Sequence, residues 1–552
     1  MNWDPVINDC APKPEDPVII ELSGGRTTRA LPVGPQVVLE AKVTKGGQPV
    51  PGNLVNISMG AGAVSGLTDS TGIFRATYVP PLQKATSVVA VASCAGCSNT
   101  SSTGITVLHC DICEAGFGNP IQPATGAKVQ VEVDWEDHAP HPISVRRHYS
   151  SHAQSGSQLG ARWSFDFYAN FTESPDFKFA ELRFGSGRAV LFQRFSQSDP
   201  WSSIEEPADQ LTGDNASHVY FRASDESQFI FNGSRLMRIV QRNGWALELT
   251  YDASGFIERV TNAFGRSMRF SHTDGRLTNV TTPDGQVIAY AHDANGRLVT
   301  ATYGDGRVRR YHYEDNRFPE ALTGVTDESG QRLSTFAYDS EGRPVTTAHA
   351  LGASSYSVQY GSAPPHAGSL LAGTPELGPE FFQITANVTD PLGTVQRYTW
   401  ADSAGTLRRT QANGPHEGER FATRSYQNGL VVREVDFNGQ ANEYAWDVRR
   451  RLQTRSSYAA GRPEQQTVET EWHPQFRLPV RITEQGRETL NVYDGKGNLT
   501  RRTITDTSTS QQRTWVWAYL ASGLVESLTE PNGAVWRYGY DAAGNRTLVT
   551  DG

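Results

Sequence analysis

From residue 219 onward, apolar and polar positions alternate in runs of about seven residues, as in QVIAYAH (286–292) and RVRRYHY (307–313). A period of two places successive side chains on opposite faces, so each run predicts a strand. Between the runs lie Gly255, Gly265, Gly275, Gly285, Gly296 and Gly306, spaced by 10, 10, 10, 11 and 10 residues. Asp274-Gly275, Pro283-Asp284-Gly285, Asn295-Gly296 and Gly304-Asp305-Gly306 supply the positive φ that tight hairpin turns need. Seven residues span about 23 Å before each reversal, and the result is an antiparallel meander.

Two motifs alternate along the meander. The first is Tyr-Asp-x-x-Gly, with copies at Tyr251-Asp252-Gly255, Tyr338-Asp339-Gly342, Tyr493-Asp494-Gly497 and Tyr540-Asp541-Gly544, and degenerate copies at His292-Asp293 and Trp446-Asp447. The second is a turn glycine with an aromatic five residues later: Gly265/Phe270, Gly285/Tyr290, Gly306/Tyr311, Gly393/Tyr398, Gly439/Tyr444 and Gly533/Tyr538. A unit of about 20 residues means a repeat architecture, in which each hairpin is expected to bury its aromatic row only against its neighbours. The aspartates present one carboxylate per turn, which suits Asx capping of the backbone better than calcium. Small, turn-rich residues near 345–387 read as loops inserted between hairpins.

Upstream, residues 1–17 read as a Pro-rich linker, and 18–109 hold short β-rich runs separated by turn clusters, which predicts a β-sandwich. Its segments "GQPVPG", "VNIS" and "TDSTGIFRATY" resemble a bacterial immunoglobulin-like repeat of the invasin type, for which a spacer role is expected. The five cysteines are Cys10, Cys94, Cys97, Cys110 and Cys113. Cys94-x-x-Cys97 and Cys110-x-x-Cys113 have zinc-ribbon spacing, but the strands read between them would hold the pairs roughly 25 Å apart. Local disulfides within each pair are the favoured reading; zinc stays the alternative.

Residues 110–218 contain Gly118-Asn119-Pro120-Ile121, Pro123-Ala124-Thr125-Gly126, Arg147-His148-Tyr149-Ser150 and Leu159-Gly160-Ala161-Arg162-Trp163-Ser164. In this order they resemble the module that precedes RHS/YD-repeat shells in bacteria, and the Tyr-Asp repeats of 219–552 resemble the YD repeats of that family. The resemblance implies an all-β chain: an immunoglobulin-like sandwich, the preceding module, and a spiral β-sheet shell, incomplete at the C-terminus. It implies encapsulation of a C-terminal toxin for rival cells. The expected partners are that cargo and the remaining shell, both absent from this chain, with secretion machinery or cell-surface glycans as further candidates. The expected location is secreted or cell-surface, with the leader absent from this chain. The alternative is a surface adhesin that binds glycans through exposed Trp400 or Trp517.

Composition adds exclusions. With 23 Phe, 20 Tyr and 11 Trp the chain is not intrinsically disordered. A formal charge of −9 without a basic block argues against nucleic acid, and no apolar run approaches the roughly 20 residues of a membrane span. No Gly-x-Ser-x-Gly, P-loop or His-Glu-x-x-His motif occurs, so no catalytic residue, metal site or cofactor is assigned. His138, His141, His148 and His152 read as loop and strand histidines. Asp390-Pro391-Leu392-Gly393 has the Asp-Pro-x-Gly form used for aspartyl self-cleavage in the family, but it sits in a repeat-turn slot and stands alone, so it reads as a turn.

Overall fold

The computed structural model describes residues 17–23, 29–30, 37–59, 62–78, 86–107, 116–153, 158–173, 179–194, 197–203, 206–213, 217–361, 370–373, 383–403, 406–415 and 420–552. The chain is all-β, and among these residues the only helical turn is a 3-10 turn at Ala350–Gly352. It divides into two units, Met1–His109 with Ser362–Gln383, and Cys110–Gly361 with Ile384–Gly552. Most of the expected linker, together with Cys10, Cys110 and Cys113, lies outside the described residues.

In the first unit, one sheet contains Val18–Ser23, Val37–Lys45, Gln48–Pro49, Ile73–Tyr78 and Leu370–Ala372, and a second contains Arg29–Ala30, Ser101–Val107, Thr86–Cys94, Leu54–Met59 and Gly62–Leu67. Alternating Ile20, Leu39, Ala41, Val43, Val55, Ile57, Phe74 and Ala76 form its core. The strand Leu370–Ala372 lies within the insertion expected near 345–387, which also holds the strands Tyr356–Tyr360 and Gln383–Thr389. Its physical reason is edge pairing: Leu370 and Ala372 register against Tyr78 and Ala76, and the Thr77 hydroxyl donates to the Gly373 carbonyl. Such a short strand carries no periodicity of its own.

The second unit contains a four-stranded sheet of Ile121–Gln122, Ala127–Glu136, Ser144–Ser150 and Trp163–Phe165, here called the module. It also contains a 34-stranded sheet running from Ala169–Glu173 to Arg546–Thr550, in which neighbours in sequence are neighbours in the sheet. Register carries Val260 opposite Met268, Phe270 opposite Val280, Val280 opposite Ile288, and Tyr290 opposite Ala301, all on one face. These side chains are buried in one cluster with Ile143, Val145, Tyr149, Leu159, Trp163 and Phe165 from the module segment. The early aromatic row is therefore covered by a separate sheet, where the repeat pattern alone suggested neighbour-to-neighbour burial. Burying side chains of this size contributes about 1.5–3 kcal/mol each.

Candidate functional site

Each Tyr-Asp-x-x-Gly turn is built the same way. At Asp252 the carboxylate Oδ1 accepts the backbone N–H groups of Ser254 and Phe256, both at 2.9 Å. The Asp252 N–H donates to the Phe256 carbonyl at 2.8 Å, and the Gly255 N–H closes back on the Asp252 carbonyl at 3.0 Å. Gly255 sits at φ 86°, which a β-carbon resists. Asp339, Asp494 and Asp541 repeat the bond to the residue four positions on, at 2.9, 2.8 and 2.8 Å. At Asp541 the Asn545 side-chain amide, and then its backbone N–H, hold the carboxyl below its ordinary range. Asp390 makes the same turn, accepting from Leu392 and Thr394 at 2.9 and 2.8 Å.

The motif tyrosine has a task that its sequence position does not announce. Tyr493 and Tyr540, and Tyr519 in the same slot before the Leu520-Ala521-Ser522-Gly523 turn, donate their hydroxyls to the carbonyls of Pro479, Val525 and Leu499 at 2.9, 2.8 and 2.9 Å. Each acceptor lies in the preceding hairpin, opposite that hairpin's own aromatic: Pro479 opposite Trp472, Leu499 opposite Tyr493, Val525 opposite Tyr519. Those pairs all fall at register shifts, where a bulge interrupts the ladder and the backbone needs a side-chain partner. Trp446 and Trp472 substitute their indole N–H toward Val431 and Gln453, at 2.7 and 2.9 Å. Tyr251, Tyr338 and Tyr360 bond Leu236, Leu322 and Pro344 likewise. Burial pushes the Tyr251 hydroxyl up to about 12, so it is a neutral donor at physiological pH. The signal that marks this role is a preference for Tyr or Trp, which carry a ring donor, over Phe.

The module is seated on the sheet through charge as well as apolar contact. On the strand Ala127–Glu136, Lys128 and Glu132 are buried, while Val131 and Val133 remain 55% and 50% exposed. This inverts the usual apolar-in order of an alternating strand. The side chains of Arg147 and Asp134 are both 0% exposed and pair at 2.5 Å. Arg147 Nη2 also donates to the Tyr311 hydroxyl at 2.7 Å, and Tyr290 and Tyr303 donate to Asp134 at 2.6 and 3.1 Å. Burial, the largest single influence, would lower the Arg147 pKa, but Asp134, Tyr311 and Tyr290 together hold the guanidinium well above its ordinary value. Around this node, Arg266 grips Asp137 through Nε and Nη2 at 2.8 and 2.9 Å, Arg309 pairs with Glu132, and Trp163 donates to the Tyr313 hydroxyl at 2.8 Å. Lys128 lies over the Phe336 ring at 4.2 Å, and burial, partly offset by Glu132, lowers it to about 7.

The long sheet also meets itself. The Trp245 indole donates to the Ser522 carbonyl at 2.7 Å across 277 residues, and the Arg477 N–H donates to Glu226 at 2.8 Å across 251 residues. Glu206 pairs with Arg451 at 2.9 Å, and a β-carbon on Gly544 would stand 3.0 Å from the Phe264 ring. All of these join turns near 206–264 to turns near 451–544, in the same order along the chain. A sheet of consecutive hairpins makes such contacts by coiling through a full revolution.

Of the remaining candidate residues, Cys94 and Cys97 are joined as a disulfide, their Cα atoms 5.3 Å apart. His141 and His148 are structural: His141 Nδ1 accepts the Ala263 N–H at 3.2 Å, and His148 contacts Asp166 at 2.6 Å. Trp400 is buried, whereas Trp517 is half-buried. Asp134, at the centre of the seat, is absent from the sequence-derived motifs, and Arg147 enters there only within Arg147-His148-Tyr149-Ser150, with no role assigned. Their only signal is charge on the inward phase of two adjacent strands.

The fold and turns define an all-β repeat protein with a docked module. The RHS repeat family model matches residues 272–317, 321–354 and 519–552, and residues 118–192 match a domain of unknown function, DUF6531. The chain carries RHS repeats. No curated protein matches it. Among solved structures it is similar to a Tc holotoxin pore of Photorhabdus luminescens, with 10% identity, TM-score 0.41 and coverage of 77% of this chain and 27% of that chain. A TcdB2–TccC3 structure without its hypervariable C-terminal region gives 11% identity, TM-score 0.40 and coverage of 77% and 27%. Invasin, a bacterial integrin-binding protein, gives 11% identity, TM-score 0.15 and coverage of 70% and 79%. The chain thus spans about a quarter of the length of the two Tc structures.

Proposed function

We propose that this chain is a non-catalytic wall segment of a secreted or surface-exposed shell that encloses a polypeptide toxin and keeps it apart from its surroundings until delivery to a rival cell. The observation that carries this reading is the self-contact of one continuous sheet across 251 and 277 residues. A sheet whose later turns stack on its own earlier turns curves back on itself and borders a space. The RHS repeats and the module seated on the first revolution support the same reading. Electron microscopy of the purified chain tests it: the expected image is a curved wall bordering a cavity. A solid particle with no cavity contradicts the reading.

A further inference from the structure

The chain leaves the long sheet after Gly361 and returns with Gln383–Thr389, between two strands that pair with each other. Ser357 stands opposite Thr389 and Tyr360 opposite Ala386, and the Gly361 N–H donates to the Thr385 carbonyl at 2.9 Å. Ser362–Gln383 belongs instead to the first unit. Its strand Leu370–Ala372 lies antiparallel on Ile73–Tyr78, which without it would be the last described strand of one sheet. It also runs alongside Gly62–Leu67, the last described strand of the other sheet. Those two edges already meet, because the Phe74 ring fills the space that a β-carbon on Gly66 would need. The receiving edge fits its occupant. Thr77 falls on the outward phase of its strand, two residues from the exposed Arg75, yet it is 0% exposed. Its hydroxyl donates to the Gly373 carbonyl, and the Gly373 N–H donates to the Arg75 carbonyl at 3.1 Å. On its other side Ile73–Tyr78 pairs with residues 37–42 at six positions, while the insertion pairs at three.

We propose that Ile73–Tyr78 is a strand-accepting edge, and that Leu370–Ala372 is a strap that fills it from within the chain and keeps it shut. The ligand class is an extended polypeptide segment, recognised along its backbone as an added strand. The occupant is the chain's own sequence over 370–373, Leu-Leu-Ala-Gly. An edge left bare presents a row of unpaired N–H and C=O groups, a template for a new strand. The strap pairs at half as many positions as the strand on the other side, so it is the partner that opens first. Its departure uncovers Thr77 and opens the side of the sandwich between the two sheet edges. The edge therefore takes a strand from elsewhere only once its own is withdrawn, and the first unit is complete only when the chain has been made as far as Gly373. None of this depends on whether the long sheet borders a cavity.

The test replaces residues 362–384 of the full chain with Asn-Gly, a two-residue turn that suits the hairpin it closes. The probe is a fluorescein-labelled peptide of residues 366–378, followed by anisotropy. The expected result is binding to this variant about tenfold tighter than to the intact chain, where the strap occupies the edge. Amide exchange over Ile73–Tyr78 and Gly62–Leu67 should rise in the variant and fall again when the peptide is added. Leu371 lies two residues from Gly373 and so on the bonded side of the ladder, and Leu371→Pro in the peptide should abolish binding. Equal binding to both chains, or binding to neither, overturns the proposal, as does unchanged exchange at Ile73–Tyr78 in the variant. If the deletion disturbs the hairpin, seen as faster exchange at Tyr356–Tyr360, Leu371→Pro in the otherwise intact chain decides. That variant should bind the unaltered peptide about tenfold tighter than the intact chain does, and its failure to do so overturns the proposal.

Discussion

At the scale of single residues, the second unit depends on polar groups placed where burial makes them consequential. Arg147 and Asp134 are both out of solvent, so removing one partner strands the other charge. Arg147→Met should destabilise the chain by about 3–5 kcal/mol, read from urea unfolding. The double variant with Asp134→Leu should lose less than the sum of the two single changes, because the stranded anion is gone. Additive losses would show that the two side chains act independently. The tyrosines that precede the turns make a gentler claim. Tyr519→Phe removes only the bond to the Leu499 carbonyl and should cost about 0.5–1.5 kcal/mol. Hydrogen exchange should rise at Leu499–Asp506 and leave distant repeats unchanged. Neither role is announced by the motif itself. Turn glycines and aspartates are legible because backbone geometry restricts them to a few residue types. A hydroxyl reaching one hairpin back is a relation between elements, and one sequence records only the tyrosine.

At the scale of elements, the sheet is assembled from hairpins, and the module is held on it by contacts that include histidines. Alternation, turn glycines and the repeat unit made the strands readable. What remained hidden was how the module is seated, because its strand Ala127–Glu136 buries Lys128 and Glu132 and leaves Val131 and Val133 outside. An apolar-in rule reads that strand backwards; the cause is the arginine- and tyrosine-rich face that receives it. The short strand Leu370–Ala372 was equally hidden, since three residues show no period. The seat should respond to acid. His141 uses Nδ1 as an acceptor for Ala263, and His272 bonds Gln158 at 3.1 Å while its buried Nδ1 has no partner. Burial lowers the pKa of both histidines below the unfolded value of 6.5. A depressed folded pKa means the stabilisation is full above 6.5 and is lost as pH falls through the folded values. Stability should therefore drop below pH 6.5, and His272→Gln should flatten that part of the profile. An unchanged slope in the variant would exclude His272 from the effect.

At the scale of the second unit, consecutive pairing makes the chain easy to follow, while coiling brings distant turns together. The repeat unit gives the strand ladder but not its curvature, which depends on the accumulated twist and on bulges at nearly every motif aromatic. The seam between revolutions is assembled from single contacts such as Trp245 with Ser522 and Glu226 with Arg477, residues with no mutual signal in the sequence. Pulsed electron spin resonance between nitroxides at positions 243 and 522 measures the coil directly. Coiling predicts a separation of about 20–30 Å, allowing for two label arms. If the same strands lay flat at their usual spacing, these turns would be about 110 Å apart, and a distance beyond the roughly 80 Å reach of the method would contradict the account.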